Sequence, residues 1–294
     1  MEKYEDKLKA VSAEVEGLRT GTFKRLVKNP TALIGMIIIG FAVFVGIFAP
    51  YLAPYDPFAM SLPRSHEPPS LEHPLGTDFF GRDILSRIIH GTRISLMMGV
   101  IVVAIRAGIG IILGLIAGFY RGIVESIIMR FTDAVIAFPA IVLALAIMAF
   151  RGQGLFNVMI ALSVVGWTGY ARLVRGEVLS LREREYITAA RALGMRDFRI
   201  IFRHILPNCF ASIVIFATVG IAAPIISEAG LSFLGLGARS DQVTWGFMLS
   251  TGRQYLRDAW WTVTFPGLAI MFIVLGFNLL GDGLRDVLDP RLRE

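Results

Sequence analysis

Six stretches of this 294-residue chain are apolar over enough positions to cross a lipid bilayer, and this property restricts the fold most strongly. A hydrocarbon core about 30 Å thick requires about 20 apolar residues in a helix. The third stretch is shorter than this, so its helix should include residues before Asp133. We therefore expect an all-α, polytopic membrane protein with six transmembrane helices, formed by residues 31–53, 94–120, 134–150, 152–171, 205–227 and 259–281.

The composition favours a membrane protein over a large soluble domain. Charged residues make up 18% of the chain, whereas soluble domains contain about a quarter. The net charge of +6 does not indicate a nucleic-acid partner, because the basic residues lie between apolar runs and form no continuous groove. One cysteine excludes a disulfide framework, and four histidines without helical ligand spacing predict no metal site.

The lysines restrict the chemistry further. All five lie at or before Lys28, and none follows a glycine-rich turn as the lysine of a phosphate-binding P-loop must. We therefore expect that this chain has no P-loop ATPase and is not itself the ATP-hydrolysing enzyme of any system to which it belongs. If ATP drives its function, other subunits bind the nucleotide and its magnesium.

The distribution of lysine and arginine predicts the orientation. With the N-terminus inside, the cytoplasmic segments hold 20 of these residues and the outside segments hold eight. Because cytoplasmic loops are enriched in positive charge, both termini should be cytoplasmic. A long polar segment precedes the first apolar run, which argues against a cleaved signal peptide.

The chain therefore divides into five parts. They are a cytoplasmic N-terminal segment (1–30), a first transmembrane helix (31–53), an extracytoplasmic loop (54–93), and a core of five transmembrane helices (94–294) that includes a cytoplasmic loop (172–207). Six prolines in the first loop predict that its first half is irregular. Its second half, residues 84–94, has helical spacing and should lie on the membrane surface, with Asp83 as the N-cap.

The 172–207 loop has the pattern of two short helices. The first contains neither Gly nor Pro and places Tyr186, Ala190 and Leu193 on one face, before a left-handed turn at Gly194. Small residues at Ala189 and Ala190 should let another protein approach closely. The second helix has apolar residues at helical spacing, at Phe198, Ile201, Phe202 and Ile205.

This loop resembles the cytoplasmic EAA loop of ABC importer permeases. The similar residues run from Glu185 to Gly194, followed by the segment 204–208, His-Ile-Leu-Pro-Asn. The family's glutamate position is Thr188 here, which departs from the motif. The resemblance implies that the loop docks as a coupling helix in a groove of the ATP-binding subunit, through Glu185, Tyr186, Thr188, Ala189, Ala190, Leu193 and Gly194.

Three other segments extend the resemblance to the dipeptide, oligopeptide and nickel permeases. They are residues 73–87 together with 91–96, residues 231–237, and residues 281–290. The resemblance implies a type I importer fold in a bacterial or archaeal cytoplasmic membrane, and the C-type member of a permease heterodimer. It also implies two ATP-binding subunits, an extracytoplasmic solute-binding protein and a cargo of peptides or similar small solutes.

Isolated charged residues leave alternatives open. Arg106 lies within a span, where a charge is expensive, and Asp133 and Glu228 are its nearest candidate partners by depth. Arg106 either forms a structural ion pair or extends to one membrane interface, or it belongs to the translocation pathway. Glu228 either caps the turn at Gly230 or faces the pathway, and Asp133 is a further pathway candidate. The outside cluster of Asp78, Arg82, Asp83 and Arg87 forms a turn with caps and ion pairs around Gly81, or it contacts the binding protein or gates the outer mouth.

Two other classes of protein fit less well. An intramembrane protease requires a nucleophile and base within the bilayer, and no span contains a histidine. A secondary transporter usually shows internal repeats, and none is visible here. Neither class would explain a docking-type cytoplasmic loop.

Overall fold

The computed structural model describes residues 24–239 and 241–288. Within these residues the chain is helical, and the β pairing consists of one isolated bridge between Thr77 and Asp83. The helices are α1 (Pro30–Ile47), α2 (Ala49–Leu52), α3 (Ile84–Tyr120), α4 (Gly122–Ile136), α5 (Ala140–Arg151), α6 (Leu155–Gly166), α7 (Thr168–Arg182), α8 (Glu185–Ala192), α9 (Asp197–Ile200), α10 (Leu206–Gly220), α11 (Ala222–Phe233), α12 (Trp245–Gly252) and α13 (Trp261–Leu288).

Five helical stretches are long and apolar enough to cross a membrane. They are α1, α3, the stretch Leu155–Arg182, the stretch Asp197–Phe233, and α13. Helices α4 and α5 pass the same criteria together but are bent by 85°, and they give a sixth span if the pair is counted as one. These numbers agree with the predicted all-α architecture of six spans.

The bend in the third apolar run was not predicted. Residues before Asp133 are helical, as expected, but they belong to α4, and Pro139 is the N-cap of α5. Proline has no backbone N–H to continue the helix and disfavours helical geometry at the preceding Phe138. The run therefore divides into two helices.

Helix α3 begins ten residues earlier than the predicted second span. Asp83 is its N-cap, as the sequence indicated, and accepts a hydrogen bond from the backbone N–H of Ser86. Residues 84–94 are helical, but they form the first turns of α3 and not a separate surface helix. At the other end of the core, α7 continues to Arg182, past the predicted end of the fourth span at residue 171.

Two close helix pairs organise the membrane part. Helix α3 packs on α7 along a stripe of three glycines, and a Cβ atom at Gly114 would lie 2.7 Å from the Ala171 carbonyl oxygen. Helix α1 packs on α13, where a Cβ at Gly35 would lie 2.5 Å from the Leu280 nitrogen. Small residues allow such close backbone approach in membranes. The short distance between the helices of each pair therefore depends on glycine at the contact.

Candidate functional site

Helix α8 is the first element of the resemblance and has a well-defined C-terminal cap. Gly194 has φ +75°, so the left-handed turn predicted at this residue is confirmed. The N–H of Gly194 donates to the Arg191 carbonyl at 2.9 Å, and the N–H of Met195 donates to that of Ala190 at 3.1 Å. This pair of bonds is a Schellman motif, which ends α8 and turns the chain towards α9.

The two sides of α8 differ in burial. Ile187 and Ala190 are buried, in an apolar cluster with residues of α3, α7 and α10. Tyr186 and Leu193 are 45% and 83% exposed. Ala190 lies one helical turn after Tyr186 but is buried, and Leu193 lies in the cap that follows Ala192, so Ala190 does not join these two residues on the exposed surface.

The remaining residues of the α8 motif lie on its outer side. Glu185, Thr188 and Ala189 are exposed. Of the two small residues expected to admit another protein, only Ala189 is accessible. Ala190 instead fills space against the protein's own core.

The second predicted helix is also present, with a change of helix type. Its first turn is α9, and a π-helical turn from Ile201 to Ile205 follows. Ile201 and Ile205 are buried, whereas Phe198 and Phe202 are 70% and 49% exposed, and the centroids of their rings lie 4.4 Å apart. The loop thus exposes four large apolar side chains, from Tyr186, Leu193, Phe198 and Phe202.

The charged residues within or near the spans do not form one site. Arg106 Nε donates to the Leu162 carbonyl at 2.9 Å, and Asp133 pairs with Arg172 at 2.6 Å. Glu228, a residue of α11, is 2% exposed, and its side chain faces the start of α12. The expectation that Asp133 or Glu228 is the partner of Arg106 is therefore wrong, because depth in the membrane does not specify the direction in which a side chain points.

Glu228 is surrounded by hydroxyl groups that sequence reasoning missed. Its Oε1 accepts hydrogen bonds from Ser232 Oγ at 2.7 Å and from Thr244 Oγ1 at 2.9 Å. Thr244 is also the N-cap of α12, and Ser232 Oγ accepts the N–H of Ala238. The carboxylate thus joins α11 to the start of α12. Thr244 directly before an apolar helix was a readable capping signal.

The outside cluster holds the outer loop together. Asp78 accepts from Arg82 Nε at 2.7 Å, and Arg87 Nη1 donates to the Pro57 carbonyl at 2.8 Å. Arg82, Asp83 and Arg87 are only 1–3% exposed, and Gly81 has φ +70°. The predicted turn with caps and ion pairs is therefore present, and the charged atoms of these three residues face the inside of the loop.

Two further groups close this loop. Asp83 pairs with the buried His73 imidazole at 2.9 Å. Arg64 donates to Glu72 on the loop surface, and this hydrogen bond holds the pKa of the Glu72 carboxyl below its usual value. In the described part of the chain, no three His, Cys, Asp or Glu side chains are placed to hold a metal ion.

The comparisons with known proteins agree with this architecture. Residues 110–294 match the family described as binding-protein-dependent transport system inner membrane component, and residues 19–69 match the N-terminal TM domain of oligopeptide transport permease C. The chain is 48% identical to the dipeptide transport system permease protein DppC of Alkalihalophilus pseudofirmus, over 98% of this chain and 93% of that protein. It is 45% identical to the glutathione transport system permease protein GsiD of Pectobacterium atrosepticum, over 92% and 90% of the two chains.

A solved structure shares the fold at low sequence identity. It is an inward-facing conformation of the MetNI methionine ABC transporter, with a TM-score of 0.57 and 19% identity, and the match covers 70% of this chain and 98% of that one. The family match covers well over half of the sequence. The chain therefore belongs to the binding-protein-dependent transport system inner membrane components and is a non-catalytic permease subunit of an ABC importer, whose ATPase resides in separate subunits.

Proposed function

We propose that this permease moves di- or oligopeptides, or a chemically similar small solute, across the bacterial or archaeal cytoplasmic membrane. The names of its relatives, which refer to dipeptides and glutathione, support a peptide cargo. The chain pairs with a homologous permease as a heterodimer and receives cargo from an extracytoplasmic binding protein. Its termini are cytoplasmic, in agreement with the excess of lysine and arginine in the cytoplasmic segments.

The α8 region is where two separate ATP-binding subunits, which hold ATP and magnesium, act on the permeases. The observation that carries this proposal is the two-sided burial of α8. Ile187 and Ala190 anchor the helix to the protein's own core, while Tyr186 and Leu193 remain exposed. A contiguous patch of exposed apolar residues is typical of a protein interface. The glutamate position of the motif is occupied by Thr188, so docking relies on shape and apolar contact.

Transport then follows from the movement of this loop. ATP closes the two ATPase subunits, the 172–207 loop moves with them, and the paired permeases open outward to accept cargo. Hydrolysis resets them to face inward. Arg106, Asp133 and Glu228 remain candidates for the pathway, and Asp78, Arg82, Asp83 and Arg87 remain candidates for supporting the binding-protein contact through the shape of the outer loop.

Two neighbouring alanines test the docking site. Ala189 is exposed and Ala190 is 6% exposed, so Ala189→Arg should prevent co-purification of the ATPase subunits without lowering the thermal stability of the permease. Ala190→Arg places a charge in an apolar cluster, so it should lower the thermal stability of the permease as well as the co-purification of the ATPase subunits. Gly194→Pro removes the capping N–H and requires φ near −65°, so it should also abolish co-purification. Normal co-purification with Ala189→Arg or Gly194→Pro would contradict the proposal.

The cargo is tested separately. Selectivity in such a system lies mainly with the binding protein, so mass spectrometry of the ligand carried by the purified binding protein identifies the solute. We expect a short peptide. A non-peptide ligand would change the cargo and leave the docking proposal intact.

A further inference from the structure

Helix α3 ends abruptly beside the 172–207 loop. Arg121 and Gly122 have φ of +53° and +62°, so the chain leaves the helix through two successive residues with positive φ. The N–H of Arg121 donates to the Ala117 carbonyl at 3.3 Å. The next carbonyls, of Gly118 and Phe119, lie in the last turn, where an α-helix has no N–H groups left to satisfy them.

Arg182, the last residue of α7, supplies the missing donors. Its Nη1 donates to the Phe119 carbonyl at 2.8 Å and, more weakly, to the Gly118 carbonyl at 3.4 Å. The side chain is 16% exposed. A cation is favoured at the C-terminal end of a helix by the helix dipole. Arg182 therefore caps α3 from a different helix, three residues before α8 begins at Glu185.

Two neighbours of Arg182 contact the same end of α3. Arg121 pairs with Glu183 at 3.1 Å, and the guanidinium of Arg191, on α8 itself, lies 4.8 Å from the centre of the Phe119 ring. Phe119 is 4% exposed and belongs to the same apolar cluster as Ile187 and Ala190. The end of α3 is thus held by residues that precede α8 and by a residue of α8.

Helix α3 can carry a displacement across the molecule. It is a continuous helix of 37 residues without proline, which at 1.5 Å per residue is about 55 Å long. Its first turn is fixed to the outer loop, where Arg87 donates to the Pro57 carbonyl. A movement imposed at its last turn therefore reaches the outer loop through one rigid element.

We propose that Arg182 is a positioning residue that fixes α8 to the end of α3, so that movement of the loop displaces the transmembrane core. The proposal rests on the proposed function, because it takes α8 as the element moved by the ATPase. Docking and transmission are separate properties of the loop. Arg182 points towards α3 and serves transmission, whereas the exposed residues of α8 serve docking.

The test uses the assembled transporter in lipid nanodiscs. Spin labels on Tyr120→Cys and Arg184→Cys report the distance between α3 and the start of α8, since both residues are exposed and the native Cys209 is buried. With Arg182 present, Mg·ATP and vanadate should leave this distance unchanged. In Arg182→Gln the distance distribution should shift or broaden when the nucleotide is added.

A kinetic measurement completes the test. In Arg182→Gln, ATPase co-purification and basal hydrolysis should remain normal, while the extra hydrolysis stimulated by the binding protein should fall roughly three- to thirtyfold. Arg182→Lys keeps the cation and a nitrogen that can donate to the carbonyls at the end of α3, so it should restore part of the stimulation. Arg196→Gln is the matched control, since the Arg196 side chain is exposed and makes no hydrogen bond or ion pair within the described residues.

The outcomes separate the two proposals. Unchanged distances and unchanged stimulation in both Arg182 variants would overturn the role of Arg182. Loss of ATPase co-purification in Arg182→Gln but not in Arg196→Gln would assign Arg182 to docking. That result would also overturn its proposed role in transmission. Normal co-purification with Ala189→Arg would instead contradict the docking site, whatever the result at Arg182.

Discussion

Arg106 and Gly166 share one small space between α3 and α6. A Cβ atom at Gly166 would lie 2.1 Å from Arg106 Nε, so Gly166→Ala must displace the guanidinium from the Leu162 carbonyl. We expect this substitution to destabilise the protein by about 1–3 kcal/mol, as overpacking does. In an Arg106→Ala background the clash is absent, and Gly166→Ala should instead stabilise the helix by up to about 1 kcal/mol.

A double-mutant cycle of thermal or denaturant unfolding in detergent measures this coupling. Equal effects of Gly166→Ala in the two backgrounds would show that the two residues do not share this space. An uptake assay of the same Arg106→Ala variant tests the role of Arg106 in transport. If Arg106→Ala leaves uptake intact at normal expression, the arginine is a structural residue and not part of the pathway.

Arg106 also shows what a sequence can reveal about a single residue. Its position within an apolar run identified it as a charge that needs a partner. Its partner is a backbone carbonyl, and carbonyls carry no signal in the sequence. Asp133 was predicted as a candidate because of its depth, yet it pairs with Arg172 on α7. Position along a helix was predictable, whereas the direction of the side chain depends on the packing of neighbouring helices.

The α3–α7 pair depends on its glycines, and the same helix provides a control. A Cβ atom at Gly114 would meet the Ala171 carbonyl at 2.7 Å and Val174 Cβ at 2.8 Å. Gly114→Ala should therefore push the helices apart and lower the unfolding temperature. Nothing lies within 4 Å of a Cβ at Gly108, so Gly108→Ala should gain up to about 1 kcal/mol from helix propensity.

Unfolding temperatures of the two variants in the same detergent compare these effects directly. A Gly114→Ala variant as stable as Gly108→Ala would show that close approach of α3 and α7 is not required. We also expect Gly114→Ala to reduce the binding-protein-stimulated ATP hydrolysis, because α3 would lie further from Arg182. Gly108→Ala should leave that hydrolysis unchanged.

The ends of helices were predictable where residues at the end itself mark it. Asp83 as N-cap of α3 and Gly194 as the end of α8 were both readable from residue type and neighbours. The 85° bend at Pro139 was missed because the surrounding run is uniformly apolar. Ala190 was expected to be accessible to another protein but is buried, and the sequence could not show this because an alanine fits equally well against the core or against a partner.

At the scale of the whole molecule, the sequence indicated the family and the number of spans but not their connections. The folded outer loop and the 172–207 loop lie at the two ends of α3. This connection follows from the unexpected length of α3, which begins ten residues before the apolar run. The hydropathy pattern could not reveal it, because residues 84–93 are amphipathic and mark only the edge of a span.

The proposed orientation in the membrane can be tested by labelling single cysteines, because the native cysteine is buried. Cys209 is fully buried, so the wild-type chain should react little with a membrane-impermeant maleimide. Leu71, in the outer loop, and Leu193, at the end of α8, are both highly exposed, at 104% and 83%. We expect Leu71→Cys to be labelled in intact cells and Leu193→Cys only in inside-out vesicles.

The ATPase subunits add a second requirement to the same experiment. If α8 is their docking site, their presence should protect Leu193→Cys in inside-out vesicles. Leu71→Cys, labelled from the other side, should react at the same rate with or without them. The reverse pattern of sidedness would overturn the cytoplasmic placement of the termini. Correct sidedness without protection would retain the orientation and move the docking site away from α8.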